Sequence, residues 1–100
     1  MNLEYENQQA LTLMQALLGV ISPNFRSVSF ECNGENVQIY VILEHEDTED
    51  REEIFDLVSE FEALKQKNIP VKVETIISDV PWKNGVCEIP GRPVYVRRKM

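Results

Sequence analysis

The stretch SVSFECNGENVQIYVIL, Ser27 to Leu43, alternates apolar and polar residues on both sides of an Asn-Gly pair. A period of two places the apolar side chains on one face of a strand and the polar ones on the other. Asn33-Gly34 is a strong hairpin signal, because both central residues of a type I′ turn require positive φ. The stretch therefore predicts a β-hairpin with one core face. A four-residue loop over 33–36 is also compatible, because it shifts the pairing by two and preserves the facing.

An amphipathic helix is predicted before the hairpin. Its apolar residues recur at spacings of three and four, and they are Leu3, Ala10, Leu11, Met14, Leu17, Leu18 and Ile21. Gly19 suits the C-terminal end of this helix, and Ser22-Pro23-Asn24 then starts a turn.

A second amphipathic helix is predicted after the hairpin. Asp47 or Thr48 can accept a hydrogen bond from the first turn as N-cap, and the helix should run to about Lys67, before Asn68 and Pro70. The predicted buried stripe consists of Ile54, Leu57, Val58, Phe61 and Leu64.

The rest of the chain predicts a third strand and a tail. The third strand alternates over Val71, Val73, Thr75 and Ile77, and short edge strands are predicted at Val86 to Ile89 and Val94 to Arg97, since edges tolerate proline. The predicted fold class is α+β in the order α-β-β-α-β plus C-terminal edge strands. We expect a single domain, residues 1–100, in which an antiparallel sheet carries both helices on one face.

Composition indicates a globular protein without cofactor or membrane signals. Hydrophobic residues make up 43% of the 100, which is enough for a modest core. The sequence has no apolar run long enough to predict a membrane span. Glu4 and Glu6 stand where a signal peptide would have basic residues, so we predict a cytoplasmic location. Cys32 and Cys87 are far apart without CxxC spacing, which indicates neither zinc nor redox chemistry, and Cys32 is interpreted as a core residue.

Negative charge is concentrated between Glu44 and Glu62. This segment has ten acidic residues against Arg51, a formal charge of −9, whereas the whole chain carries −7. Four of the ten basic residues lie near the C-terminus: Arg92, Arg97, Arg98 and Lys99. For most of the surface we therefore predict no nucleic-acid partner, because phosphate binding favours the opposite sign of charge.

Helical periodicity places part of this charge on one side of the second helix. Within an arc of about 100°, opposite the apolar stripe, lie five residues that we call the acidic face: Glu49, Glu52, Glu53, Asp56 and Glu60. Acids in the first turn complement the helix dipole, so part of the face is explained by solvation and helix stability alone. The like-charge i,i+4 pairs farther along cost a few tenths of a kcal/mol each. A solvated surface and a functional acidic patch are equally compatible with this pattern.

Acidic residues at this density could hold a metal, perform acid-base chemistry or dock a basic partner. An EF-hand register that starts at Asp47 puts Arg51 at a ligand position and Glu52 where glycine must turn, so no metal is predicted. Acid-base catalysis needs carboxylates in different environments, and these side chains are predicted to be uniformly exposed. His45 is interpreted as a surface residue. We therefore predict no catalytic residue and no enzyme.

A basic protein partner fits the charge best, because a concentrated negative field steers an oppositely charged surface into encounter. Aromatic anchors are expected beside it, and Tyr40 and Trp82 are the candidates. Phe55 lies off the apolar stripe and is not included. The predicted partner-binding residues are Glu44, Glu46, Asp47, Glu49, Asp50, Glu52, Glu53, Asp56, Glu60, Tyr40 and Trp82.

Three segments resemble small bacterial immunity proteins of contact-dependent growth inhibition and related polymorphic toxin systems. They are QALLGVISPNFRSVSFECNGENVQIYVILE (15–44), TEDREEIFDLVSEFEAL (48–64) and VKVETIISDVPW (71–82). The resemblance spans most of the chain and rests on the order of helix, SPNFR turn, hairpin, acidic helix and strand.

The resemblance implies a cytoplasmic inhibitor that binds the toxin domain of a cognate effector. Such toxins are often nucleases with basic sites, which an acidic patch has the sign to cover. Two alternatives remain open from the sequence. The chain could be a homo-oligomeric adaptor or structural protein, for which a homodimer is compatible, or an enzyme subunit whose site a partner completes.

Overall fold

The computed structural model describes residues 3–33, 36–64, 70–80 and 89–97. Within them, two helices and four strands follow one another: α1 Leu3–Ala16, β1 Phe25–Asn33, β2 Asn36–Leu43, α2 Thr48–Leu64, β3 Val71–Ile77 and β4 Arg92–Val96. The strands form one sheet in the order β3-β2-β1-β4. The predicted α+β class, the element order and a C-terminal edge strand are confirmed.

Some predictions fall on residues that the structure does not describe. The expected end of the second helix at Lys67 lies beyond Leu64, where the described part of α2 ends. The strand expected over Val86 to Ile89 lies, except for Ile89, outside the described residues, and so does Cys87.

The hairpin of β1 and β2 has its apolar residues on one face, as predicted. Cys32 pairs with Val37 and Phe30 with Ile39. This is the register of the four-residue loop over 33–36, whereas a two-residue Asn33-Gly34 turn would have placed Cys32 opposite Glu35. The facing is the same in both, because the registers differ by two residues.

The sheet is mostly antiparallel, as predicted, and β3 is the exception. It pairs in parallel with β2, from Val37 opposite Val71 to Leu43 opposite Ile77. The reason is the helix between them: α2 carries the chain back to the end of the sheet where β2 began, as in a βαβ unit. β4 pairs antiparallel with β1 and forms the other edge.

One hydrophobic core joins both helices to one face of the sheet. Its most deeply buried side chains include Leu13 of α1, Leu57 and Phe61 of α2, and Phe25, Phe30, Ile39 and Leu43 of the strands. Cys32 belongs to this core, as predicted, and burial raises the pKa of its thiol, with a smaller contribution from the charge of Glu6. Of the stripe expected on α2, Val58 is only half buried and Leu64 is exposed.

The predicted apolar stripe of α1 is wrong over most of its length. Ala10 and Leu17 are buried, but Leu3, Leu11, Met14, Leu18 and Ile21 are exposed. The buried residues of the helix are instead Gln9, Ala10, Leu13 and Ala16. This helix has apolar residues at helical spacing on two sides, and the helix ends at Ala16, so periodicity alone could not select the buried side.

Gly91 fixes the approach of β4 to β1. Its φ is +73°, and a Cβ there would lie 2.5 Å from the backbone oxygen of Phe30. We expect Gly91→Ala to lower the free energy of unfolding by about 2–4 kcal/mol, because strained φ adds to a clash with backbone that cannot move aside. Urea denaturation measures this change.

Gly19 provides the matched control for Gly91. It also has positive φ, +83°, but an added Cβ would have nothing within 4 Å. Gly19→Ala should therefore cost only the backbone strain, about 1–2 kcal/mol. Equal losses in the two variants would contradict the assigned clash.

Candidate functional site

The N-terminus of α2 is capped by Asp47. Its Oδ1 accepts a hydrogen bond from the backbone N–H of Asp50 at 3.0 Å, and its carbonyl accepts from the N–H of Arg51 at 3.0 Å. These are the contacts of an N-cap residue, so one of the two predicted caps is confirmed. The Asp47 carboxylate therefore stabilises the start of α2.

Asp50 is buried, which corrects the expectation of uniformly exposed acids. Only 6% of its surface is exposed, and its Oδ2 accepts a hydrogen bond from Asn24 Nδ2 at 2.8 Å. The same amide group donates to the carbonyl of His45 at 2.8 Å and accepts from the His45 N–H at 3.0 Å. Asn24 thus joins the start of β1 to the loop before α2, and Asp50 is part of that joint.

Two acids that precede α2 are neutralised within the chain. Glu44 accepts a hydrogen bond from Arg97 Nη2 at 2.7 Å, and this bond, followed by the charge of Arg97, lowers the pKa of Glu44. Glu46 holds Arg51 through both carboxylate oxygens, at 2.5 and 2.9 Å, and the hydrogen bond lowers the pKa of Glu46 as well. Both pairs are exposed to solvent, so their contribution to stability is small.

The residues of the acidic face of α2 are mostly exposed to solvent. Glu49, Glu52, Asp56 and Glu60 are exposed and Glu53 is half buried. Among the described residues, no cation forms an ion pair with any of the five, since the arginines with ion pairs contact Glu6, Glu44 and Glu46. The structure therefore brings five carboxylates together on one helix face, with no ion pair to them from the described part of the chain.

Of the two predicted aromatic anchors, Tyr40 does not join this face. Tyr40 lies on the opposite face of the sheet from α2, and its hydroxyl donates to Glu31 Oε2 at 3.2 Å. Partial desolvation, followed by the charge of Glu31, raises the pKa of Tyr40. Trp82 lies outside the described residues.

Phe55, which the sequence did not place among the anchors, borders the acidic face. Its side chain is 72% exposed, although it is a large aromatic residue. It lines a groove of about 410 Å³ between α2 and β3, whose walls are Arg51, Ile54, Phe55, Val58, Val71, Val73 and Thr75. The signal was present in the sequence, because an aromatic residue off the core stripe of a helix is a candidate for binding.

The described part of the chain has no metal site and no membrane-spanning helix. There, no group of three or more His, Cys, Asp or Glu side chains could hold a metal ion. No helix of the described ranges is both long and apolar enough to cross a bilayer. What the arrangement can do chemically is present negative charge beside an apolar groove.

Comparison with known proteins points to a family of immunity proteins. No curated protein sequence matches the chain. A family model described as MafI2 immunity protein matches residues 6–99, a span that runs from α1 past β4 and includes the acidic face. The resemblance to small bacterial immunity proteins of polymorphic toxin systems is thereby confirmed: the chain belongs to the MafI2 immunity protein family.

Proposed function

We propose that the chain, whose family implies a cognate toxin as partner, neutralises a basic toxin domain by docking the acidic face of α2 onto it. The observation that carries the proposal is the set of five carboxylates that lack an ion pair among the described residues. A nuclease is the kind of toxin that this charge fits, because its phosphate-binding site is positively charged. Inhibition by occupying that site requires no catalysis by the chain.

Charge that is already paired is less available to a partner. Glu44 and Glu46 would have to exchange Arg97 and Arg51 for a toxin cation, and Asp50 is held by Asn24. Of the eleven residues predicted from the sequence, the proposal therefore rests on Glu49, Glu52, Glu53, Asp56 and Glu60. Delivery of the toxin by contact-dependent growth inhibition and a cytoplasmic site of action stay predictions from the sequence.

The toxin can be obtained by affinity capture of the tagged chain from its native cells at low and high salt, followed by mass spectrometry. The proposal requires a basic protein that arrests growth when its toxin domain is expressed alone and is silenced by this chain. Recovery of the chain alone would contradict the proposal and favour a homo-oligomeric adaptor.

The decisive variant reverses Glu49, Glu53 and Asp56 to Lys. We expect its affinity for the recovered toxin domain to fall at least about 100-fold, with a weaker dependence on salt. Folding should change little, because two small effects oppose each other. A lysine at position 56 forms opposite-charge i,i+4 pairs with Glu52 and Glu60, whereas a lysine at position 49, in the first turn, opposes the helix dipole. Calorimetric titration measures the affinity, and thermal unfolding reports the stability.

A second triple variant controls for net charge. Glu4, Glu31 and Asp79 lie outside α2 and outside β3, and reversing them to Lys changes the total charge by the same amount. Its affinity should stay within about threefold of that of the native chain, since surface charges beyond a Debye length are screened. Equal losses of affinity in the two triple variants would show that the effect depends on net charge alone. Unchanged affinity in the variant of Glu49, Glu53 and Asp56 would show that the acidic face does not take part in binding.

A further inference from the structure

As far as the structure describes the chain, β3 forms an unpaired edge of the sheet. β3 is the terminal strand, and within the described ranges no other strand pairs with its outer side. Its sequence, VKVETII, is seven residues long and has only Lys72 and Glu74 as charges. β4, the opposite edge, is five residues long and contains Pro93, which lacks an N–H. An edge strand of this length and β-branched composition is a template for pairing, because the N–H and C=O groups on its outer side can form hydrogen bonds with a further strand.

Two hydrogen bonds define which backbone groups of β3 point outward. The carbonyl of Pro70 accepts from Val37 N–H at 3.0 Å, and the Ser78 N–H donates to the carbonyl of Leu43 at 2.9 Å, so both groups point toward β2. Backbone polar groups of successive strand residues point to opposite sides, which assigns the even-numbered residues of this strand to β2. The N–H and C=O groups of Val73 and Thr75 therefore point away from the sheet, toward the open edge.

The groove, whose walls are apolar except for Arg51 and Thr75, lies directly beside this edge. Val73 faces the helical layer, in register with the core residue Ile39, yet it is 37% exposed, because α2 does not cover the sheet margin. Phe55 closes the groove from the side of α2. An additional strand beside β3 would place every second side chain on the helical side, in line with Val73 and Thr75 and next to Phe55.

The negative charge next to the groove indicates which kind of partner the groove can bind. Glu52 and Phe55 are three residues apart on α2 and so are neighbours on its surface, which makes the groove continuous with the acidic face. A second copy that docked this surface on its own equivalent would bring two acidic faces together, and like charges oppose that contact. A basic partner meets the acidic face without such a penalty, and the cation in the groove wall, Arg51, is already paired with Glu46.

We propose that an extended segment of the cognate toxin adds to the outer edge of β3 and inserts an apolar side chain into the groove at Phe55, with basic residues beside the acidic face. The inference rests on the proposed function and deepens it. Backbone hydrogen bonds from Val73 and Thr75 supply affinity independent of the toxin sequence, and the groove supplies selectivity, as in other cases of strand addition.

The test uses the full chain and the toxin domain recovered by affinity capture. Phe55→Ala should weaken binding at least about 30-fold, the loss typical of a buried aromatic anchor, without loss of thermal stability. Leu18→Ala is the matched control, because Leu18 is 80% exposed and lies after α1, away from the groove. That variant should bind within about twofold of the native chain.

Hydrogen exchange of the native complex gives an independent readout. The amides of Val73 and Thr75 should exchange more slowly when the toxin is bound, because they become hydrogen-bonded. Full affinity in Phe55→Ala, or unchanged exchange at these amides in the complex, would overturn the inference. The triple charge reversal on α2 tests the acidic face separately, so failure of either idea is distinguishable from failure of the other.

Discussion

Replacing Asn24 with aspartate is expected to lower the free energy of unfolding by about 3–5 kcal/mol. Asn24 is 8% exposed, and its Nδ2 lies 2.8 Å from Asp50 Oδ2 and 2.8 Å from the carbonyl of His45. Aspartate has nearly the same shape but no donor, so it would bring a second carboxylate against a buried one. Urea denaturation at neutral pH measures the loss.

The change is informative because its cause can be reversed. In the double variant Asn24→Asp/Asp50→Asn the amide and carboxylate exchange places, and an N–H···O hydrogen bond between the two side chains can form again. We expect this variant to recover part of the lost stability. Acidification should also reduce the deficit of the single variant, since protonating one carboxylate removes the repulsion. A single variant as stable as the native chain would show that the Asn24–Asp50 contact does not join β1 to α2.

Replacing Arg26 with methionine is expected to cost about 2–4 kcal/mol. Arg26 is 4% exposed, and it donates from Nη1 to the carbonyl of Ser78 and from Nη2 to that of Val80, both at 2.6 Å. Methionine keeps much of the apolar volume but leaves these carbonyls without charge-assisted donors. Because Ser78 directly follows β3, hydrogen exchange at this end of the strand should also become faster in the variant.

Arg97 is the matched control for Arg26. It makes similar contacts, with Nη1 donating to the carbonyl of Pro23 and Nη2 to Glu44, both at 2.7 Å, but its side chain is 31% exposed. Water can replace these bonds, so Arg97→Met should cost no more than about 1 kcal/mol. Equal costs for the two arginines would contradict the view that burial decides the effect of Arg26.

The sequence by itself determined the elements whose signals are local. Alternation over 27–43 specified the hairpin and its core face, Asp47 was recognisable as a cap of α2, and periodicity placed the acidic face on one side of that helix. Each of these features depends on residues a few positions apart, whose spacing fixes which side chains share a face. The immunity function was predicted from the resemblance to a family, because no cluster of residues in the sequence indicates a function by its chemistry.

Only the tertiary structure decided how these elements use their surfaces. It selected the buried side of α1, turned β3 parallel to β2, buried Asp50 against Asn24, and paired Glu44 with Arg97. The physical reason is common to all four: each depends on a partner distant in sequence, and such contacts form only when packing brings the segments together. The acidic segment from Glu44 to Glu62 therefore contains both residues with structural contacts and the charged face of α2.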